Sequence, residues 1–140
     1  MGYFYAIAAA VTWGFVYAID QKILDKVSSP MLVFINAVFS MAVLLPFLIF
    51  KSKGLREITT LDKSTVNFIA LSLVFTLAAN LLIYIAIQHF GSSKAAIFEI
   101  AYPFFVVIFS ILMFNAQVNG YFILGSLLMF IGSAIIITLG

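Results

Sequence analysis

The sequence predicts an all-α integral membrane protein with five transmembrane helices. Of its 140 residues, 65% are hydrophobic and only 9% are charged, whereas soluble domains carry about 25% charged residues. The apolar residues form five long runs, and a run of about 20 such residues crosses a bilayer as a helix. We therefore predict a single transmembrane domain over residues 1–140, with helices at 3–24, 31–50, 66–87, 95–114 and 121–139.

The composition argues against several classes of function. The chain has no cysteine and a single histidine, His89, so neither thiol chemistry nor a metal site is expected. No nucleophile–base pair, cofactor motif or basic block is present, and the few charges lie mostly between the apolar runs. We therefore expect no enzymatic activity, no cofactor, no metal and no nucleic-acid partner.

The first apolar run carries a polar and aromatic face. A signal peptide is the alternative interpretation of this run, but no basic residue precedes it, and a transmembrane helix is favoured. Trp13, Tyr17 and Asp20 follow one another at helical spacing. They either anchor the helix at the membrane surface, as Trp and Tyr often do, or line a cavity. Trp13 lies deep in the run, which anchoring alone does not explain.

Polar side chains also lie inside the second and third runs. Asn36 can hydrogen-bond a neighbouring helix, a structural role that we favour over ligand contact. In the third run, polar residues recur every four positions, at Ser72, Thr76, Asn80 and Tyr84. Such a stripe gains nothing from facing lipid, so it is expected to face protein or a watery cavity.

Two further patterns predict local structure. Thr60 or Ser64 is expected to cap the third helix. In the fifth run, pairs of small residues seven positions apart predict a face for close helix packing: Gly125, Ser126, Gly132 and Ser133.

Glu99 is the most informative residue, because it is a carboxylate inside an apolar run. A charged side chain in lipid costs several kcal/mol unless it faces protein or water, so it marks a functional path. Pro103, four residues on, cannot donate the helical hydrogen bond to the Glu99 carbonyl and predicts a kink. We expect Glu99 to be buried, to bind a proton or a cationic substrate, and to lie beside the aromatic side chains of Trp13, Tyr17 and Tyr102.

Five crossings place the two termini on opposite sides of the membrane. The connections on one side carry four basic residues and those on the other carry three: Lys51, Lys53, Arg56 and Lys63 against Lys22, Lys26 and Lys94. Because an excess of Lys and Arg fixes orientation, so small a bias predicts insertion in both directions. Two copies would then pair as an inverted, antiparallel dimer, as the inverted halves of many transporters do.

Several segments resemble one EamA domain of the drug/metabolite transporter superfamily, and they extend over essentially the whole chain. They are AAAVTWGFVYAI, SSPMLVFINAVFSMAVLLPFLIF, the segment from Tyr84 to Ala96, AYPFFVVIFSILMF and GSLLMFIGSAIIITL. The chain departs from the family pattern at Asn115-Ala116, where Gly-Glu is usual, and at Asn36, where Arg is frequent. The resemblance implies export or import of small metabolites through a central cavity, and a single domain implies a dimer.

The favoured hypothesis is therefore a transporter of small metabolites or organic amines in a prokaryotic inner membrane, working by alternating access as a dual-topology homodimer. Its cavity would be lined by Trp13, Tyr17, Asn80, Tyr84 and Tyr102, with Glu99 for ion coupling and Asp20, Asn36 and Thr76 as secondary polar groups. The alternatives are an uncoupled facilitator, a flippase for lipid-linked substrates, pairing with a homologous inverted half, and a structural membrane subunit.

Overall fold

The computed structural model describes residues 1–50 and 58–139, which are helical with short connections and contain no strand. The helices, in chain order, are α1 (Gly2–Leu24), α2 (Ser29–Phe50), α3 (Lys63–Phe90), α4 (Ser92–Glu99), α5 (Tyr102–Phe114) and α6 (Gly120–Leu139). Within the described ranges, five segments are long and apolar enough to cross a membrane, with α4 and α5 together forming the fourth. This confirms the predicted fold class. Lys51, Lys53 and Arg56, used in the charge comparison, lie outside the described residues.

The fourth transmembrane segment is two helices, where the sequence predicted one continuous helix. It begins at Ser92, three residues earlier than predicted, and is interrupted at Ile100 and Ala101. At the interruption, the N–H of Ala101 donates to the carbonyl of Phe98 at 3.3 Å, a tighter turn than an α-helix makes. Pro103 follows in the first turn of α5, where its missing N–H is tolerated.

The third helix begins at Lys63, earlier than predicted, because Asp62 caps it. The Asp62 carboxylate accepts hydrogen bonds from the backbone N–H groups of Ser64, at 3.0 Å, and Thr65, at 3.3 Å. The sequence had suggested Thr60 or Ser64 for this role, and the cap is instead the carboxylate beside them. Hydrogen bonds from the Thr65 hydroxyl and backbone N–H are the main reason why the pKa of Asp62 lies below its usual value of 3.8.

The chain divides into two compact units. The terminal unit comprises Met1–Lys22 and Ala86–Gly140, and in it α6 packs against both α4 and α5. The ring of Phe130 on α6 meets that of Phe104 on α5 at 5.2 Å between centroids. Aromatic contact of this kind, with burial of Val107 on α5, holds these helices together.

The small-residue face of α6 is only partly as predicted. Ser126 and Ser133 are buried, and their hydroxyls donate to carbonyls of their own helix at 3.0 and 2.9 Å. A side chain added at Gly125 or Gly132, however, would meet nothing within 4 Å. The serines therefore form the packed part of this face, and the glycines leave open space.

The central unit comprises Ile23–Ile85. It contains the end of α1, all of α2 and most of α3. Its buried apolar side chains include Leu24 and Leu32, near the turn that joins α1 to α2. Ser29, at the start of α2, is almost completely buried.

Candidate functional site

A carboxylate and a phenol meet inside the terminal unit. The hydroxyl of Tyr17 on α1 donates a hydrogen bond to Oε2 of Glu99, the last residue of α4. Tyr17 is buried, whereas the side chain of Glu99 is exposed. The expectation of a buried Glu99 was therefore wrong for the single chain. An exposed carboxylate at this depth of a transmembrane segment has to face water or another protein surface, because lipid cannot solvate its charge.

The only tryptophan adjoins this pair. The ring of Trp13 lies edge-on to that of Tyr17, with 5.8 Å between centroids and 67° between planes. Trp13 is 56% exposed, so its indole is not enclosed by the chain itself. The structure thus brings together three of the predicted site residues, with the Tyr17 ring between the indole and the carboxylate.

Asp20 lies three residues after Tyr17 in the same helix and is only 5% exposed. A carboxylate so well buried is rare unless it is hydrogen-bonded or paired. Asp20 was predicted to be a secondary polar group, and its burial makes it the more enclosed of the two carboxylates in α1 and α4. It lies within one helical turn of Tyr17, so it belongs to the same stretch of α1.

The interruption after Glu99 shapes the site. Because Pro103 has no N–H, the carbonyl of Glu99 cannot have its usual partner four residues on. Tyr102, predicted as a cavity residue, begins α5 with 60% of its surface exposed. Glu99 therefore lies at the end of a short helix, next to a change in backbone geometry.

A second polar contact lies within the central unit. Nδ2 of Asn36 on α2 donates to the hydroxyl of Tyr84 on α3 at 2.8 Å. Tyr84 is buried, Asn80 is half-buried one turn before it, and Thr76 is exposed a further turn before that. The predicted bond from Asn36 to a neighbouring helix is present, and it ends on a residue that the sequence had placed in the cavity.

Sequence reasoning missed the contact between Gln21 and Ser92. Oε1 of Gln21 on α1 accepts hydrogen bonds from the backbone N–H of Ser92, at 2.9 Å, and from its hydroxyl, at 2.6 Å. Ser92 is the first residue of α4 and follows Gly91, whose φ is +84°. The signal in the sequence is that Gln21 lies one helical turn after Tyr17, and so on the same face of α1.

The described residues contain no candidate metal site. No group of three or more His, Asp or Glu side chains there is placed to hold a metal ion.

Comparison with known families decides the class of protein. The model of the EamA-like transporter family matches residues 1–138. The chain belongs to this family. No curated protein and no solved structure matches it significantly. The EamA-like assignment indicates a membrane transporter and agrees with the five transmembrane segments, so this is a multi-pass integral membrane protein.

Proposed function

We propose that this EamA-like protein transports small organic amines or related metabolites by alternating access, and that Glu99 is the group that binds the cationic substrate or a coupling proton. The observation that supports this best is the hydrogen bond from Tyr17 to the Glu99 carboxylate. In this bond an ionisable carboxylate within a transmembrane segment is the acceptor for the hydroxyl group of a tyrosine on another helix. A proton or an ammonium group would compete with Tyr17 for the same oxygen atoms.

The neighbouring aromatic ring favours a cation as the substrate. The indole of Trp13 is largely exposed and is joined through the Tyr17 ring to the carboxylate. Tryptophan is the aromatic side chain that attracts cations best, by about 0.5–2 kcal/mol depending on desolvation. A quaternary ammonium that displaced the Tyr17 hydroxyl from Glu99 and lay against the exposed indole of Trp13 would therefore gain both a π-face and a counter-charge.

The interruption of the fourth segment supports alternating access. In many transporters, discontinuous helices carry the binding groups near the middle of the membrane. Glu99 lies four residues before residue 103, the midpoint of Ser92–Phe114, or about 6 Å along a straight helix. This is closer to the middle than the roughly 8 Å that a helix at 95–114 would give.

We further propose that two copies pair in an inverted orientation in a prokaryotic inner membrane. Five transmembrane segments and nearly balanced basic residues support this. The two Glu99 carboxylates would then be staggered by about 12 Å along the membrane normal, by the usual rise per residue and with little tilt. At that separation each carboxylate serves its own half-site, because one proton cannot bridge the two.

The decisive experiment is uptake by proteoliposomes of choline and of its uncharged isostere 3,3-dimethylbutanol. Glu99→Gln should abolish concentrative choline uptake, whereas Asp25→Asn, a carboxylate in the exposed connection after α1, should leave it intact. If both compounds are taken up at a rate that does not depend on pH and that is unchanged in Glu99→Gln, an uncoupled facilitator would be favoured. Binding of phospholipid headgroup analogues without choline flux would favour a flippase.

Orientation is tested by labelling single cysteines, since the chain has none of its own. Suitable variants are Ser28→Cys and Gln117→Cys. Both residues are exposed in connections between helices, and a five-helix topology places these connections on opposite sides of the membrane. Dual topology predicts that each is labelled by an impermeant reagent from both sides. Labelling of each from one side only would rule out the inverted homodimer and leave pairing with a separate inverted half.

A further inference from the structure

The start of α4 is held by a side chain from another helix. Within its first turn, a helix leaves backbone N–H groups without partners in the same helix. The first of these in α4, that of Ser92, donates to Oε1 of Gln21, and the Ser92 hydroxyl donates to the same atom. Gly91, the residue before, supplies no capping side chain. Gln21 on α1 therefore caps α4.

The close approach of Gln21 depends on the backbone of Gly91. A side chain carbon added at Gly91 would lie 3.6 Å from Oε1 of Gln21, so the amide lies directly against this residue. The φ of +84° and ψ of 162° of Gly91 are adopted almost only by glycine. The turn between α3 and α4 is thus shaped so that the amide of Gln21 reaches the N–H of Ser92.

The same face of α1 holds both ends of α4. Tyr17 and Gln21 are one turn apart, about 6 Å along α1, and their partners Glu99 and Ser92 are about 10.5 Å apart along α4. The later residue in α1 contacts the earlier residue in α4, so the two helices run antiparallel. Because α4 ends at the interruption after Glu99, these two contacts fix the position of a short helix rather than of a whole transmembrane segment.

We propose that Gln21 is a positioning residue for the Tyr17–Glu99 pair, because its amide oxygen caps α4 from α1 and thereby sets where Glu99 lies along α1. The assignment deepens the proposed function, on which its consequence for transport rests. Removing the acceptor frees the start of α4, and α4 can then shift along α1 as a unit between Gly91 and Ala101. Glu99 would lose its register with Tyr17, although both side chains remain.

Crosslinking tests the positioning without any need for a substrate. The parent carries Tyr17→Cys and Glu99→Cys and is treated with a short bifunctional thiosulfonate, so that the Gln21 contact holds α4 against α1 without the Tyr17–Glu99 bond. Gln21→Met keeps the length of the side chain but removes the acceptor, and it should slow crosslinking by about tenfold. Gln21→Glu keeps an oxygen acceptor and should crosslink at the parent rate. Gln117→Met, a glutamine in the connection before α6, is the matched control and should also crosslink at the parent rate.

An equal crosslinking rate for Gln21→Met and the parent would overturn the proposal. Ser92→Ala removes one of the two donors and should give an intermediate rate, which distinguishes lost capping from misfolding of a single variant. A Ser92→Ala rate as slow as that of Gln21→Met would also contradict capping as the cause, because Ser92→Ala keeps the backbone N–H that Gln21 caps.

Transport then separates positioning from general stability. Gln21→Met should lower choline uptake by about tenfold when Tyr17 is present and should have no further effect in a Tyr17→Phe background, because a positioning residue acts through the pair it positions. Additive losses would show a role in stability alone and overturn the proposal. If the protein with Tyr17 and Glu99 intact shows no choline uptake, the proposed function fails, and the crosslinking rates still decide the role of Gln21.

Discussion

The hydroxyl of Tyr17 donates a hydrogen bond to the carboxylate of Glu99, and this bond joins the C-terminal half of α1 to the last residue of α4. A substitution that removes the Tyr17 hydroxyl but keeps the ring therefore isolates the contribution of this hydrogen bond to transport. Tyr17→Phe retains the edge-on contact with Trp13. We expect it to reduce choline transport by about tenfold to a hundredfold, because a hydrogen bond to a charged group is worth roughly 1.5–3 kcal/mol.

The matched control for Tyr17→Phe is Tyr5→Phe, an exposed tyrosine near the start of the same helix. Initial uptake rates at several choline concentrations separate substrate affinity from turnover. Unchanged kinetics in Tyr17→Phe, with Glu99→Gln inactive, would mean that Glu99 acts without Tyr17.

The contact between Asn36 and Tyr84 is expected to stabilise the central unit. Tyr84→Phe removes the acceptor of the 2.8 Å bond from Asn36. Such bonds between membrane helices are worth roughly 0.6–2 kcal/mol, so the thermal unfolding midpoint in detergent should fall. Ser40→Ala, one helical turn beyond Asn36 on α2, should leave the midpoint unchanged. A loss of transport at full stability would instead assign Tyr84 to the substrate path.

Glycine is required at position 91 for its backbone conformation. Gly91→Ala places a side chain at φ +84° and ψ 162°, which costs about 1–3 kcal/mol. Gly125→Ala is the matched control, because its new side chain would meet nothing within 4 Å and alanine is the better helix former. Comparison of the two unfolding midpoints checks this. Equal midpoints would show that the turn before α4 tolerates a side chain.

The cap at Asp62 makes the start of α3 sensitive to acid. Its pKa is lowered, chiefly by the hydrogen bond from the Thr65 side chain, so the folded state favours the charged form. This contribution to stability is present above the unfolded value of 3.8 and is lost as the pH falls through the lowered value. Asp62→Ala should speed amide exchange of Ser64 and Thr65 several-fold at neutral pH. Exchange at wild-type rates would exclude Asp62 as the cap.

Composition and hydrophobic run length were sufficient to predict the membrane class and the five segments, because the bilayer sets the length of an apolar helix. Local hydrogen bonding was harder to predict. Pro103 indicated a kink, but a missing donor does not show whether the backbone bends or, as it does at Ile100 and Ala101, interrupts the helix. Likewise Asp62 was overlooked as a cap because two hydroxyl residues nearby are equally good candidates by type.

The sequence predicted which residues of the candidate site share a face of one helix, but not which residues of two different helices meet. Spacing placed Trp13 and Tyr17 on one face, and membrane energetics singled out Glu99. No periodicity, however, shows which helix a given face meets, so the bond between Tyr17 and Glu99 and the cap from Gln21 required the structure. The exposure of Glu99 was also beyond the sequence, since it depends on how neighbouring side chains cover the helix end.

The edge-on contact between Trp13 and Tyr17 gives the protein an intrinsic optical reporter. Trp13 is the sole source of indole fluorescence, and its ring touches the phenol whose hydroxyl is bonded to Glu99. Emission from a single fluorophore therefore reports on the candidate site in unlabelled protein. Titration of choline against this emission would follow occupancy directly, with no transport assay and no added dye.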